Sequence, residues 1–321
     1  MIKNTIKYLI SVIIILIVSI LPNKFIAINS FADSLNNIYF LDTKENGDSI
    51  IIQSRDKFAL IDTGEDLESN AQLIANKLKD LGTNHLDYFI MSHAHSDHIG
   101  AFSRLSELIT IDKFIGMDLG IDKDTDLSDH KNHPFYDKSN NTWKVPLIEV
   151  MDDNYDNNGT VEENWRADYY YQKMLISLSM HGIEKEDKER FIVPKENQSI
   201  KIGDFTLIFN NTFEKLDDIP EIKTDFNNSS TWITLSNGQS KIAFTGDIDQ
   251  TRGNYIVNKF PHTNNVDLYK VSHHGLSKNT SYNIAEKLNP IISVVMGDYK
   301  IPVSAKYLND MNSKIYKTST N

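Results

Sequence analysis

The chain is expected to form a layered α/β fold with one site built where strands end. Three observations lead there. Short apolar runs alternate with helical patterns in two βαβ-like halves. Polar, metal-type residues stand at the C-terminal ends of these runs, at Asp62, His93, Asp247 and His273. One segment, Met91-Ser-His-Ala-His-Ser-Asp-His-Ile-Gly100, packs His93, His95, Asp97 and His98 into six residues. Ligand sites in layered α/β folds gather at strand ends, so these separate motifs are expected to converge.

With 321 residues, 40% hydrophobic and 24% charged, the chain has enough apolar material for one large domain. Its start differs from the rest. Lys3 and Lys7 precede an apolar run from Tyr8 to Leu21, Pro22 breaks it, and Ser30-Phe31-Ala32 supplies small residues for a signal peptidase. Residues 1–32 are therefore expected to be a secretory signal peptide. The alternative is an uncleaved N-terminal anchor, for which the run is short against a span of about 20 residues. Either reading places residues 33–321 outside the cytoplasm, secreted or held at the outer face of the membrane, with membrane contact only through the N-terminal segment. The net charge is −11, and −14 once the three lysines of residues 1–32 are set aside. That surface grips a polyanion poorly, so nucleic acid is a disfavoured partner. The absence of cysteine excludes disulfides, thiolate ligands and thiolate nucleophiles. Any metal is left to His, Asp and Glu.

Taken in order, 37–41 and 49–53 read as strands around a turn at Glu45-Asn46-Gly47-Asp48. A third strand, 57–61, ends in Asp62-Thr63-Gly64. Leu67, Ala71, Ile74, Leu78 and Leu81 recur at helical spacing, and Gly82 stops that helix. The strand 86–91 leads into the histidine loop. Ile99, Phe102, Leu105 and Leu108 then mark a single helix to about Leu108, before a strand at 112–116.

From about 120 to 195 the pattern loosens into an insertion rich in Asp, Asn and Lys, with a helix at 162–181. Trp143, Trp165 and Tyr169 stand in it. A long insertion over a metal site commonly forms a lid or substrate wall; the plainer reading is that these aromatics pack the insertion's own core.

Alternation returns at 199–202 and 205–209. The segments 231–235 and 241–245 flank Asn237-Gly238, a hairpin signal, and the second runs into Gly246-Asp247. A helix at 254–259, a strand at 267–271 and Ser272-His273-His274-Gly275 follow. Asn279-Thr280 is placed to cap a helix at 281–288. A strand at 291–296, a helix at 303–311 and an edge strand at 314–318 complete the pattern.

On an extended segment, residues i and i+2 point the same way, so His93 and His95 can grip one ion. The chain then turns, and Asp97 and His98 face a second point nearby. Imidazole and carboxylate donors so arranged suit two Zn²⁺ better than one.

Together these motifs resemble the metallo-β-lactamase superfamily. His93 to His98 matches its His-x-His-x-Asp-His loop, Asp62-Thr63-Gly64 its early strand end, Gly246-Asp247 its later Gly-Asp, and His273-His274-Gly275 its last histidine. The resemblance covers about Asn37 to Thr318, with 120–195 outside it. It implies a four-layer αββα sandwich carrying a helical and loop insertion, and a binuclear zinc hydrolase. In the implied site His93 and His95 hold one ion, Asp97, His98 and one of His273 or His274 hold the other, and Asp247 bridges. A metal-bridging hydroxide is the expected nucleophile. Asp62 is expected to stand behind the ligands and orient the histidines. Adjacent residues of an extended strand point apart, so His273 is expected to ligate while His274 donates a proton or touches substrate. Asp97 and His274 are thus the expected catalytic residues. A third histidine, common in the family, has only His130, His133 and His181 as candidates, each expected at the surface.

Two branches are similar. Phe40-Leu41-Asp42, Gly47-Asp48-Ser49 and the Gly246-Asp247 and His273-His274-Gly275 pairing resemble the metallo-β-lactamase domain of DNA-uptake channel proteins. Ser92 to Gly100, Gly246 to Asp249, and His273-His274 followed by Asn279-Thr280 resemble secreted phosphorylcholine esterases. The leader and the acidic body favour the second. The expected function is an exported binuclear-zinc phosphodiesterase acting on a small-molecule or cell-surface phosphodiester. Trp143, Trp165 and Tyr169 would then cage a quaternary ammonium. The alternatives are an exported nuclease and a non-enzymatic surface metal-binding module.

Overall fold

The computed structural model describes residues 15–17, 25–29, 36–44, 47–144, 167–214, 216–221, 225–297 and 302–319. The first sheet opens with β1 (Ile15–Ile17), β2 (Phe25–Asn29), β3 (Asn36–Leu41), β4 (Ile50–Ser54) and β5 (Lys57–Ile61), each antiparallel to the next. Helix α1 (Glu68–Asp80) crosses to β6 (His85–Ile90), and the short helices α2 (Ser96–Ile99) and α3 (Phe102–Ser106) lead to β7 (Thr110–Ile115). The strands β5, β6 and β7 are parallel. Within the insertion lie a small hairpin of β8 (Tyr136–Asp137) and β9 (Thr142–Trp143) and the helix α4 (Ala167–Met180). It returns through β10 (Phe191–Ile192), parallel to β7.

The second sheet repeats the plan. β11 (Ser199–Ile202), β12 (Phe205–Asn210), β13 (Trp232–Ser236) and β14 (Lys241–Phe244) are antiparallel. After α5 (Gln250–Lys259) come β15 (Leu268–Lys270), α6 (Tyr282–Leu288), β16 (Ile292–Val295), α7 (Pro302–Asp310) and β17 (Lys314–Lys317). The strands β14 to β17 are parallel.

The period-two geometry of the strands makes the layers. Ile38 and Phe40 of β3, with Ile50 and Ile52 of β4, meet Ile242 and Phe244 of β14 and Leu268 of β15 between the sheets. Their neighbours Tyr39, Leu41 and Ile51 face the other way, against α1, α3 and α4. Ala243 and Tyr269 likewise face α5, α6 and α7. Two sheets face to face with helices outside them form the αββα sandwich. Strands covered on both faces read as continuous apolar runs, which is why they were legible.

Helix α1 follows its sequence signals: Glu68 in its first turn, Lys77 and Lys79 in its last, and Gly82 at φ 86° just beyond. The single helix expected to reach Leu108 is instead split into α2 and α3. The Ala101 N–H donates to Gly64 O at 3.0 Å, and Asp97 O accepts from Asp48 N at 3.0 Å. The intrahelical bond between 97 and 101 is thus replaced by two tertiary ones. The cap of α6 is Ser281, whose side chain accepts from Ile284 N at 3.2 Å, rather than Asn279-Thr280. Asn279 Nδ2 donates instead to Asp247 O and Ile248 O.

The described part of the insertion shares the helical core. Leu127, Phe135, Tyr170, Tyr171, Met174 and Leu178 are buried with Phe102 and Leu105 of α3. The leader expected over 1–32 lies, apart from the backbone of β1 and β2, outside the described residues. Among the described residues no helix is long and apolar enough to cross a membrane.

Candidate metal centre

The site forms at the C-terminal ends of the parallel strands. Asp62 follows β5 in a left-handed conformation, φ 57°, which a short polar side chain tolerates. Its carboxylate accepts from Ser92 N at 2.8 Å, from Ser92 Oγ at 2.6 Å, and faces His98 Nδ1 at 2.8 Å. That sets the His98 tautomer, leaving Nε2 to face Asp247 Oδ2 at 3.1 Å. His93 and His95 sit side by side on the extended stretch before α2, with His93 Nε2 3.1 Å from His95 Nδ1. Phe226 covers both rings, at 6.3 and 5.2 Å between centroids, and Phe135 of the insertion packs edge-on against Phe226.

Asp247 arrives from β14 through Gly246, at φ 50°. A Cβ there would meet the Ser230 side chain at 2.7 Å, and Ser230 Oγ accepts from Asp247 N at 3.0 Å. The other half comes from β15. His273 and His274 take left-handed conformations, φ 47° and 53°, and Gly275 continues at φ 84°. Such dihedrals cost non-glycine residues about 1–3 kcal/mol each and persist only where the surroundings impose them. Here the His273 N–H donates to Gly246 O at 3.2 Å, Ser272 Oγ to Ile248 O at 2.6 Å, and Leu276 N to His273 O at 2.9 Å.

This turn places the two histidines differently. His274 is buried, with Nε2 3.1 Å from Asp97 Oδ2 and 3.4 Å from Asp247 Oδ2. The His273 side chain is 17% exposed, with Nε2 3.7 Å from Asp247 Oδ2. The expectation of an extended strand with opposed side chains does not apply, because both residues are left-handed. Donor atoms of Asp97, His98, Asp247 and His274 all lie within 4.8 Å of one another, and all four residues are buried.

Two site residues were missed. Lys270, the last residue of β15 and 1% exposed, is ion-paired with Asp48 and lies 3.3 Å from Asp247 Oδ1. Asp48, equally buried, has Oδ1 3.4 Å from His274 Nδ1. A lysine between Leu268-Tyr269 and Val271, just before Ser-His-His, was the available signal, since a buried lysine needs anionic partners.

The donor set fits a cation. Asp48, Asp62, Asp97 and Asp247 crowd together, and Lys270 is the lysine that answers them. Burial opposes protonation of His274, but Asp247 and then Asp48 outweigh it and push it up to about 10. Burial likewise opposes the proton on His98, and Asp247, Asp97 and Asp62 outweigh it. Burial works against the charge on Asp97 and Asp247 too, yet His98 and then His274 hold both well below the usual carboxylate range. A divalent ion would take the place of those imidazole protons. Asp97 Oδ1, buried, has no hydrogen-bond partner among the described residues. Burial first, and then the neighbouring His98, push His93 and His95 down, His95 to about 4, so both are neutral and able to ligate at neutral pH.

The remaining expected residues lie elsewhere. His133 is buried rather than at the surface: it is paired with Asp168 of α4, and Nε2 is 3.1 Å from Leu127 O. His181 Nε2 is 3.0 Å from Ser106 O, and His130 begins a 3₁₀ turn, His130–Asn132. Among the described residues, neither His133 nor His181 joins the clustered donors. Tyr169 is exposed on α4, edge-on to Tyr170, and Lys173 Nζ lies 5.4 Å from both rings. Its face therefore already holds an ammonium. Trp143 lies in β9, and Trp165 is outside the described residues.

The profile of the metallo-beta-lactamase superfamily matches residues 42–289. Among solved structures the chain is similar to the metallo-beta-lactamase fold protein YhfI of Bacillus subtilis, at 16% identity and TM-score 0.45, covering 87% of this chain and 91% of that one. It is also similar to the metallo-beta-lactamase MIM-1 of Novosphingobium pentaromativorans, at 13% identity and TM-score 0.41, covering 87% and 85%. A third is a HARLDQ-motif metallo-beta-lactamase mutant of Cronobacter sakazakii, at 14% identity and TM-score 0.35, covering 65% of this chain and 59% of that one. No curated protein matches. The profile takes in every strand-end motif of the site, from Asp48 and Asp62 to His274, and the chain belongs to the metallo-beta-lactamase superfamily.

Proposed function

We propose that the protein is an exported zinc-dependent hydrolase of phosphodiesters, with two metal positions in one buried site. The superfamily consists mostly of metal-dependent hydrolases, and the observation that carries the reading is the convergence of Asp97, His98, Asp247 and His274 within 4.8 Å. Those four would hold one ion, and His93 and His95 with Asp247 the other. When bound, such ions act as Lewis acids and lower the pKa of water to about 7. The protein's own groups do the rest. Asp62 orients His98, and Phe226 covers the face of His93 and His95. His274 is assigned as ligand. His273, at the rim, is assigned to meet the substrate and to protonate the leaving oxygen.

The likeness of Ser92 to Gly100 and Gly246 to Asp249 to phosphorylcholine esterases supports a phosphodiester, and the acidic body supports a small one over a polyanion. The test is turnover of p-nitrophenyl phosphorylcholine, bis-p-nitrophenyl phosphate and single-stranded DNA by protein of known zinc content. Chelator-sensitive turnover of the small diesters is the expected result. Preference for DNA would replace this reading with a nuclease. Inactivity on all three with zinc bound would sink the phosphodiester assignment.

A further inference from the structure

Asp48 and Lys270 have no task in the chemistry above, yet both are buried against it. Lys270 Nζ is paired with Asp48 Oδ2, donates to Gly246 O at 3.0 Å and lies 3.3 Å from Asp247 Oδ1. Asp48 Oδ1 lies 3.4 Å from His274 Nδ1, and the Nε2 of that ring points at Asp97 and Asp247. Asp62 holds the corresponding place behind His98 but closer, hydrogen-bonded to Nδ1 at 2.8 Å while Nε2 points inward, whereas Asp48 Oδ1 makes no hydrogen bond among the described residues and acts on His274 through its charge. Both inward-facing histidines therefore have a carboxylate behind the outer nitrogen.

We propose that Asp48, held by Lys270, is the positioning carboxylate of His274 and sets the metal affinity of the Asp97, His98, Asp247 and His274 site. A carboxylate behind an imidazole keeps the proton on Nδ1, aims Nε2 and makes it a better donor. Met296 O faces His274 Nδ1 at 3.2 Å as a neutral acceptor, so Asp48 is what sets a negative charge behind that nitrogen. Lys270 has two tasks. It spares Asp48 the cost of an uncompensated buried charge. It also engages Asp247 Oδ1, leaving Oδ2, the oxygen that faces His98, His274 and His273, toward the metal.

This inference rests on the metal reading, and the experiment separates the two. The metal-stripped full chain is titrated with Zn²⁺ against a chromophoric chelator. Co²⁺ absorption serves as a second probe, and the melting temperature of the apo-protein is followed alongside. Asp48→Asn is expected to weaken one of two zinc-binding steps by about ten- to hundredfold and to shift the Co²⁺ bands, leaving the other step unchanged. Lys270→Met, which removes the ammonium between two buried carboxylates, is expected to lower the apo melting temperature. The double variant Asp48→Asn/Lys270→Met is expected to regain melting temperature relative to Lys270→Met while keeping the weak zinc step. Wild-type affinity in the double variant would mean the pair is purely structural and would overturn the proposal, as would unchanged affinity in Asp48→Asn. A wild-type protein that takes up no zinc would overturn the metal reading and this inference with it.

Discussion

His274 Nε2 lies 3.1 Å from Asp97 Oδ2, joining residues 177 positions apart. One belongs to α2, which follows β6, and the other to the turn after β15, so the contact closes the site between the two halves of the sandwich. It also separates His274 from His273, whose nearest approach to the same carboxylates is 3.7 Å.

The first prediction follows from that separation. His274→Ala is expected to lose about one zinc equivalent together with its activity. His273→Ala is expected to keep its zinc and to lose turnover by roughly a hundredfold, the ordinary contribution of a general acid. Metal content by mass spectrometry, set beside kcat, distinguishes them. The reverse pattern would restore the extended-strand reading of the pair.

Asp62 accepts three hydrogen bonds in a fully enclosed position. Asp62→Ala strands the Ser92 N–H and takes the charged acceptor from the Ser92 hydroxyl and the outer nitrogen of His98, which lie 3.2 Å from each other. A loss of about 3 kcal/mol is expected in urea unfolding of the metal-free protein, at the scale of buried donors left unpaired. A loss below about 0.5 kcal/mol would refute the account of how the loop is held.

Gly47 is required for space. A Cβ at this position would stand 2.5 Å from Asp97 O and 2.6 Å from Gly64 Cα, both backbone atoms. Gly47→Ala therefore pushes the Asp48 segment off the histidine loop and is expected to cost about 1–3 kcal/mol. Zinc affinity should fall with it, because the Asp48 N–H bond to Asp97 O is broken. Equilibrium unfolding and chelator competition read the two effects.

Zinc should stabilise the fold as a ligand of the native state alone. At about 100 times its Kd it adds about 2.7 kcal/mol, which for a domain of this size raises Tm by roughly 4 °C. A chelator should reverse the shift in calorimetry. No shift on adding zinc would argue against a preformed site.

Tyr169→Ala should leave KM for p-nitrophenyl phosphorylcholine unchanged, since Lys173 already occupies the ring face. A raised KM would return Tyr169 to the substrate wall.

The layers and the cluster from His93 to His98 were legible in the chain because both are local. Apolar strands covered on two faces show as unbroken runs, and donors two to five residues apart meet whatever the rest of the chain does. The long-range members were read only as motifs at strand ends, at Asp62, His93, Asp247 and His273, and among the described residues it is His274 that joins Asp97, His98 and Asp247 within 4.8 Å.

What the sequence alone determined, then, is the alternation of layers and the kind of chemistry the donors can serve. The tertiary structure decided which donors share a point. His274 turns inward because bonds to Gly246 O and Ile248 O hold its segment in a left-handed turn, where residue alternation no longer applies. The helix after the histidine loop breaks because Asp48 N and Gly64 O take up its 97 to 101 hydrogen bond. Lys270 is an ordinary lysine until Asp48 and Asp247 are placed beside it. Each outcome depends on partners remote in the chain, and a buried charge or a strained dihedral is stable only once those partners are in place.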